Sequence, residues 1–514
     1  MEQNQKYFPD GAELTGRSKT LLAEMYGNRF KVDQTLYEYL IEFLLVFCSS
    51  KNVADEGSDG KFRFHDLDSE KELEYRVEPR MGLKRFIFFD KEKKSENIEI
   101  DKNAYERLKD ILINSFEDME EENADRCIEG LQDLFHGYAV VIKKRSWCAQ
   151  VMLPICPEVV FCEAMPETRE RRKLSVKILN DTEIEERKKV DAGFVFNKRN
   201  FLARGGEIYY LHILQGMQAD SMKKQKLERL LSYLLCIQGK KVSTVASFIQ
   251  NAWEQDMGFS GELTENFRLS CIPKNAYVDI AGFTVEEMIN FLSCDMQQIK
   301  KIELMAKGVM LQIMRMLFKR TVNYVGDEEA TWIVDMGGTS ANIIKKIAAR
   351  GFKRIEEDFA AALNNISYEW KSDIDERTRV DKVREARRSS LDIFRAKGKE
   401  LQCIIPVSGP YERFTLSEDC VRFLVLALIK PREKMTYDMF LHKLYESYRI
   451  VIGPMEYQRI YKSENDVSLT SPFIENSNAF QSFLKATGFL RELSDATSIV
   501  ENPYESVKLG DGED

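Results

Sequence analysis

Apolar residues return at three- and four-residue steps along much of this chain, the period of helices that bury one face. The clearest stripe runs through Val32–Cys48, where Leu36, Leu40, Phe43, Leu44 and Phe47 share a side. The same period marks Tyr209–Met217, Leu227–Ile237, Val242–Trp253, Val285–Leu292 and Ile302–Phe318. Residues 62–101 read differently. Runs such as GLKRFIFFD and NIEID are rich in Phe and Ile and predict a small strand pair, with Asp101 placed to cap a helix over Ala104–Ser115. Only 12 prolines and 27 glycines punctuate the chain, which favours long helices over many short strands. The expected class is mainly α with minor β (α+β), in several domains.

Breaks in the pattern give boundaries. Residues 1–18 read as a loosely held tail, Asn52–Gly60 as a polar loop and Glu117–Glu122 as a solvated acidic surface. An apolar, cysteine-rich stretch at 127–165 leads into a charged connector, Glu167–Lys189, containing RERRK and EERKK. The expected division is an N-terminal α+β domain at 1–125 and the apolar segment with its connector at 126–190. A helical domain at 191–330, an α/β segment with a basic helix at 331–413 and a C-terminal module at 414–514 follow. No repeat of fixed period marks a solenoid.

Length and composition narrow the class. With 514 residues the chain exceeds one core, since single cores stop growing near roughly 250–300 residues. Hydrophobic content of 44% with 11% aromatic is globular, not disordered. The net charge of -9 means that nucleic-acid contact has to come from a local patch. The 10 cysteines are scattered through apolar runs without a repeated short-spaced pair, which points to reduced, buried thiols. The opening MEQNQKYFPDGAEL is polar and has no secretory pattern. Leu36–Cys48 is interrupted by Glu38 and Glu42, and Val421–Ile429 is far shorter than the roughly 20 residues a membrane span needs. A cytoplasmic protein with no membrane association is the expectation.

The strongest charge feature is the stretch 377–399. It carries nine cations (Arg377, Arg379, Lys382, Arg384, Arg387, Arg388, Arg395, Lys397 and Lys399) against Asp381, Glu385 and Asp392. Arg377, Arg384, Arg388 and Arg395 are spaced 7, 4 and 7 apart, on one helical face, with Val380, Val383, Leu391 and Phe394 on another. Such a helix suits a phosphate backbone or an acidic partner. Arg377, Lys382, Arg384, Arg388 and Arg395 are therefore the candidate nucleic-acid contacts. RERRK at 169–173 and KRNFLAR at 198–204 are smaller clusters that the fold could bring to the same side.

The C-terminal segment is the most legible. Ser417 is placed to cap an apolar helix that Pro431 ends, and Thr436 to cap a second helix carrying Met439, Phe440, Leu444 and Tyr448. A third begins near Pro454. In NSNAFQSFLKATGFL, Asn476 or Ser477 is placed to cap a helix burying Phe480, Phe483 and Leu484, with Gly488 as its C-cap. FLRELSD and ATSIVENPY then read as two short apolar segments hinged at Ser494–Ser498. Several short helices followed by a hairpin resembles a winged-helix domain, over about 90 residues. The last helix offers Asn476, Ser477, Asn478 and Gln481 but a single cation, Lys485, and residues 415–514 hold 11 Lys and Arg against 16 Asp and Glu. Phosphate contacts supply much of DNA affinity, so this module is expected to dock a protein, through Asn476, Asn478, Gln481 and Lys485.

Chemistry-bearing motifs fall short. WIVDMGGTS, Trp332–Ser340, contains D-x-G-G-T and resembles the first phosphate loop of sugar kinases and actin-like ATPases. That loop leads into a second strand, whereas ANIIKKIAARGFKR reads as helix, so a strand-to-helix turn is the reading adopted. No Walker loop and no G-x-S-x-G elbow is present. Gly205–Gly206 reads as a turn feeding the helix that carries His212. The four histidines, His65, His136, His212 and His442, are far apart and lack metal-ligand spacing. Glu186 and Lys188 have nuclease-like E-x-K spacing inside a charged helical run. No catalytic residue, metal or cofactor is assigned.

FLARGGEIYYLHILQ and the closing FLRELSDATSIVENPY, set in a helical body, resemble accessory subunits of bacterial phage-defence operons. The resemblance implies a structural or regulatory role beside a partner, such as an ATPase or nuclease, that does the chemistry. The expected function is a non-enzymatic subunit of a multiprotein, DNA-associated assembly. It would dock its partner through the C-terminal module and touch nucleic acid through the basic helix. The alternatives are a diverged enzyme, either nuclease or actin-like nucleotide hydrolase, and a DNA-binding regulator.

Overall fold

The protein is described from a computed structural model that covers residues 6–14, 20–28, 30–51, 58–67, 73–92, 99–116, 119–140, 145–164, 185, 194, 204–218, 220–258, 265–337, 341–371, 373–460, 467–494 and 497–509. All of the connector Glu167–Lys189 but Glu185, with RERRK and the Glu186–Lys188 pair, most of KRNFLAR, most of Asn52–Gly60 and the acidic tail lie outside the described residues.

The chain is mainly helical, with short sheets. No described helix is long and apolar enough to cross a membrane. It forms two compact units, both discontinuous: residues 1–32, 207–230 and 270–514 make one, and 33–206 with 231–269 the other. The consecutive segments expected from composition are therefore not the units of packing, because pairings distant in sequence decide membership. Tyr7–Phe8 pairs antiparallel with Ile272–Pro273. The buried Tyr26 hydroxyl meets Thr321 Oγ1 at 2.7 Å and Tyr277 donates to the Tyr26 carbonyl.

In the smaller unit the helix Leu36–Cys48 forms where its stripe places it. Thr35 and Glu38 close a capping box, and Leu36, Leu40, Phe43, Leu44 and Phe47 are all buried. The expected strand pair is not built from GLKRFIFFD and NIEID. GLKRFIFFD lies inside the helix Met81–Glu92, and the end of NIEID opens the helix Glu99–Asn114. Met81, Leu83, Phe86, Ile87, Phe88 and Phe89 are all buried, so the run carries no one-sided period to distinguish helix from strand. The strands are Glu74–Val77 and Glu265–Arg268, paired antiparallel. Gly206 is a close-approach glycine: its N–H donates to Glu42 Oε2 at 2.8 Å, and a Cβ there would strike the Tyr39 carbonyl.

In the larger unit the 28-residue helix Gln298–Val325 is the central element, buried along most of its length. Val278–Ser293, Glu418–Leu428, Leu391–Glu400 and the 30-residue Ala341–Trp370 pack against it. Trp332 stacks on Phe414 at 4.8 Å and meets Phe318 and Phe394 edge-on. Trp332–Ile333 pairs in parallel with Ile450–Val451. Buried polar groups join four helices. Arg315 forks onto Glu287, Tyr448 donates to Glu287 Oε2 at 2.8 Å, and Gln312 donates to Glu287 while accepting from Tyr209. His212 Nε2 meets Thr284 Oγ1 at 2.8 Å. Burial, then the Arg315 charge, pushes that imidazole down to about 3, so it is neutral.

The C-terminal segment runs as Glu418–Leu428, Tyr437–Tyr448, Pro454–Ile460 and Val467–Ala486, then the antiparallel strands Leu490–Ser494 and Thr497–Glu501. The second strand also pairs with Lys434–Thr436, giving a three-stranded sheet. Ser417 and Thr436 cap their helices, and Gly488 takes φ +82 after Ala486, all as expected from sequence. The last helix begins earlier than NSN suggests, so Asn476 sits inside it rather than at its cap. No two of the ten cysteines are bridged. Seven are buried, and Cys127 is exposed.

Candidate nucleic-acid interface

The basic stretch folds as two helices, not one. Glu376–Arg388 is capped by Asp375, which accepts from the Thr378 N–H, and ends at Ser389; Leu391–Glu400 then begins. The break separates Arg395 from Arg377, Arg384 and Arg388, so the four do not share one face. The expected apolar side is also revised: Val380 is 47% exposed, while Arg379 and Ala386 point inward. Arg379 donates to the Ser367 carbonyl and lies over the Tyr368 ring at 4.3 Å. Arg379 is thus a structural cation.

Arg377, Lys382, Arg384, Arg387 and Arg388 remain exposed. Lys382 pairs with Glu385 at 2.9 Å and Arg384 with Asp381 at 3.0 Å, both at the surface, where such pairs contribute only about 0–1 kcal/mol and yield readily to a phosphate.

Arg395 belongs to a second feature that the sequence reading missed. A groove of about 820 Å³ runs beside the first half of the helix Ala341–Trp370. The helix contributes Lys345, Lys346, Arg350, Lys353 and Glu356 to its lining, the segment Gly409, Pro410, Tyr411 and Glu412 contributes more, and Arg395 joins them. The helix forms here because ANIIKKIAARGFKR buries Ile344, Ala348 and Phe352. That spacing turns residues 345, 346, 350 and 353 outward together. The sequence carries the signal as four cations at helical spacing, in the segment that continues the D-x-G-G-T turn.

The acids of the groove are largely neutralised. Glu412 accepts from Arg395 at 2.7 Å and pairs with Lys399 at 2.5 Å. Burial raises its carboxyl, but those two cations more than offset this and hold it below the usual range. Glu356 is 3.4 Å from Arg395, and burial outweighs that attraction, raising its carboxyl. The helix Glu376–Arg388 packs against Ala341–Trp370, and the Arg387 charge of that helix also favours the ionised form of Glu356. Among the described residues Lys345, Lys346 and Arg350 have no ion-pair partner, and Lys353 reaches only the exposed Glu357 at 3.7 Å.

The D-x-G-G-T segment leads into this helix, and its aspartate is occupied. Asp335 pairs with Arg413 at 2.7 Å and accepts from the Gly337 N–H at 2.9 Å, with Gly337 at φ +79. The expected strand-to-helix turn fits that geometry; residues 338–340 lie outside the described set.

The four proposed docking residues separate. Asn476 is 1% exposed: its amide donates to the Val334 and Ile452 carbonyls at 2.9 and 3.0 Å, and its oxygen accepts from the Met336 N–H at 2.8 Å. Asn476 is therefore withdrawn as a docking residue, since its helix starts at Val467 and turns it inward. Asn478 and Lys485 are exposed on the last helix, with Lys485 paired to Glu492 at 2.8 Å. Gln481 is half-buried and accepts from Ser498. Ile474, four residues before Asn478, shares their exposed face. Comparison with protein-family models, with curated proteins and with solved structures returned no match for this chain.

Proposed function

We propose that this chain is a non-enzymatic subunit of a nucleic-acid-associated assembly. It would hold the phosphate backbone in its basic groove and along the adjoining basic helix. The observation that carries the reading is the groove itself, which Lys345, Lys346, Arg350, Lys353 and Arg395 line together, beside a helix that packs against the basic helix Glu376–Arg388. This concentrates positive charge on one face of a chain whose net charge is -9. A local field of that sign raises the concentration of a polyanion at the surface, and counterion release supplies the affinity.

The C-terminal end is read as a winged-helix-like module that docks a protein partner. Its helices followed by a hairpin, with Lys434–Thr436 completing the sheet, support that resemblance. The exposed face with Ile474, Asn478 and Lys485 is too poor in cations to carry DNA, and an apolar residue among polar ones suits a protein surface. The setting proposed is an assembly of the phage-defence kind, in which a partner ATPase or nuclease does the chemistry.

The test is binding of the purified chain to labelled DNA across a salt series, beside K345Q/R350Q/K353Q and R377Q/R384Q/R388Q. Binding whose logarithm falls steeply with salt, and whose slope is reduced by about 2–3 in each variant, supports the reading. Absence of binding by the unaltered protein at low salt would overturn the nucleic-acid part and leave a protein-docking scaffold.

A further inference from the structure

We infer that the basic groove takes a single strand, with Tyr411 as the platform on which a base stacks; the inference rests on the nucleic-acid reading above. Tyr411 sits in the loop between the antiparallel strands Ile404–Ile405 and Arg413–Phe414. It is 71% exposed, at φ +67, although it lines the same groove as the cations. A bulky residue in left-handed backbone is uncommon, and the conformation persists only where its surroundings enforce it. Here the next residue, Glu412, is held by Arg395 and Lys399, and Arg413 by Asp335. The loop foot is thus fixed by ion pairs while an aromatic ring projects from it into water. Val407, in the same loop, is 73% exposed and adds a second apolar side chain to the loop's surface.

An exposed aromatic ring set beside unpartnered cations is the arrangement that binds unpaired nucleotides. Phosphates follow the charge, and each base has a π-face to lay on the ring. A duplex presents only base edges in its grooves, its faces being stacked internally. The volume of about 820 Å³ lies in the range of pockets that enclose small ligands, about 300–1,000 Å³. A double helix would reach the rim and miss the floor. Residues 345 to 353 span about 12 Å along the helix, so the charge forms a short track and not a single anion site.

The test uses the full chain and labelled oligonucleotides of about 12 nucleotides, within the site sizes of single-strand binders, as single-stranded DNA, single-stranded RNA and duplex DNA. Tight binding of either single strand, at least about 10-fold above duplex, is expected. Y411A should weaken it about 5- to 150-fold, as loss of one stacked base does, and leave duplex binding unchanged; Y411F should keep it. K345Q/R350Q should weaken all three. Equal binding of Y411A and the unaltered protein to single strands would overturn the inference, as would duplex binding as tight as single-strand binding. Displacement by a nucleoside triphosphate at concentrations matching the oligonucleotide would also overturn it, in favour of a mononucleotide pocket. If duplex binds and only the cation variant loses it, this inference falls and the nucleic-acid reading stands. If no nucleic acid binds at low salt, both fall.

Discussion

Arg315 donates from Nη1 to Glu287 Oε1 at 2.7 Å and from Nη2 to Glu287 Oε2 at 3.0 Å, with both side chains fully buried. Inside a core such a pair gains little over a well-packed apolar pair, but removing one partner strands a charge. Glu287→Ala is therefore expected to destabilise the larger unit by about 3–5 kcal/mol, read as a lowered unfolding temperature. The double variant Glu287→Leu/Arg315→Met should recover most of that loss. A single substitution without effect would show that the pair is not what joins these helices.

Asn476 closes three backbone groups at once, on the Val334, Ile452 and Met336 peptides. Asn476→Ala leaves them unsatisfied in the interior, at a cost of at least about 2 kcal/mol. Asn478→Ala, two residues on and on the exposed face, should stay within about 0.5 kcal/mol of the unaltered protein. Urea unfolding of both separates a structural asparagine from a surface one; similar midpoints would refute the distinction.

Gly308 lies where the central helix meets Phe423, and a Cβ built there overlaps the ring. Gly308→Ala should cost about 1–3 kcal/mol by overpacking, despite alanine's better helix propensity. Phe423→Leu combined with it should restore part of the loss. Thermal melts of the two variants beside the unaltered protein decide this, and a more stable Gly308→Ala would mean that the two helices have room to part.

Asp358 is pushed up to about 7 by burial and by the charge of Asp327, while Asp327 is held low by hydrogen bonds from Arg354 that outweigh its own burial. The folded protein keeps a proton on Asp358 that the unfolded chain releases near 3.8. Its contribution is therefore complete below the unfolded value and lost as pH rises through the folded one. Asp358→Asn carries no charge at any pH, so its stability relative to the unaltered protein should improve as pH rises from about 4 to about 7 and level off above that. A pH-independent difference in melting temperature would argue against a proton held on Asp358.

Sequence by itself determined what is settled within about four residues of a position. Ser417, Thr436 and Gly488 cap their helices as expected, and the Leu36–Phe47 stripe is buried as a stripe. These hydrogen bonds and periods close locally, so the chain carries them wherever it goes. Only the tertiary structure decided the rest. Met81–Phe89 is buried on every side, so its pattern had no period to read. Asn476 looked like a cap until the preceding turns of its helix were in place. The groove brings the segment 345–353 to Arg395 and Tyr411. Each piece alone is an ordinary charged helix face or a loop, and the concentration of charge beside an exposed ring exists only after packing brings them together, because electrostatic fields sum over space and not along the sequence.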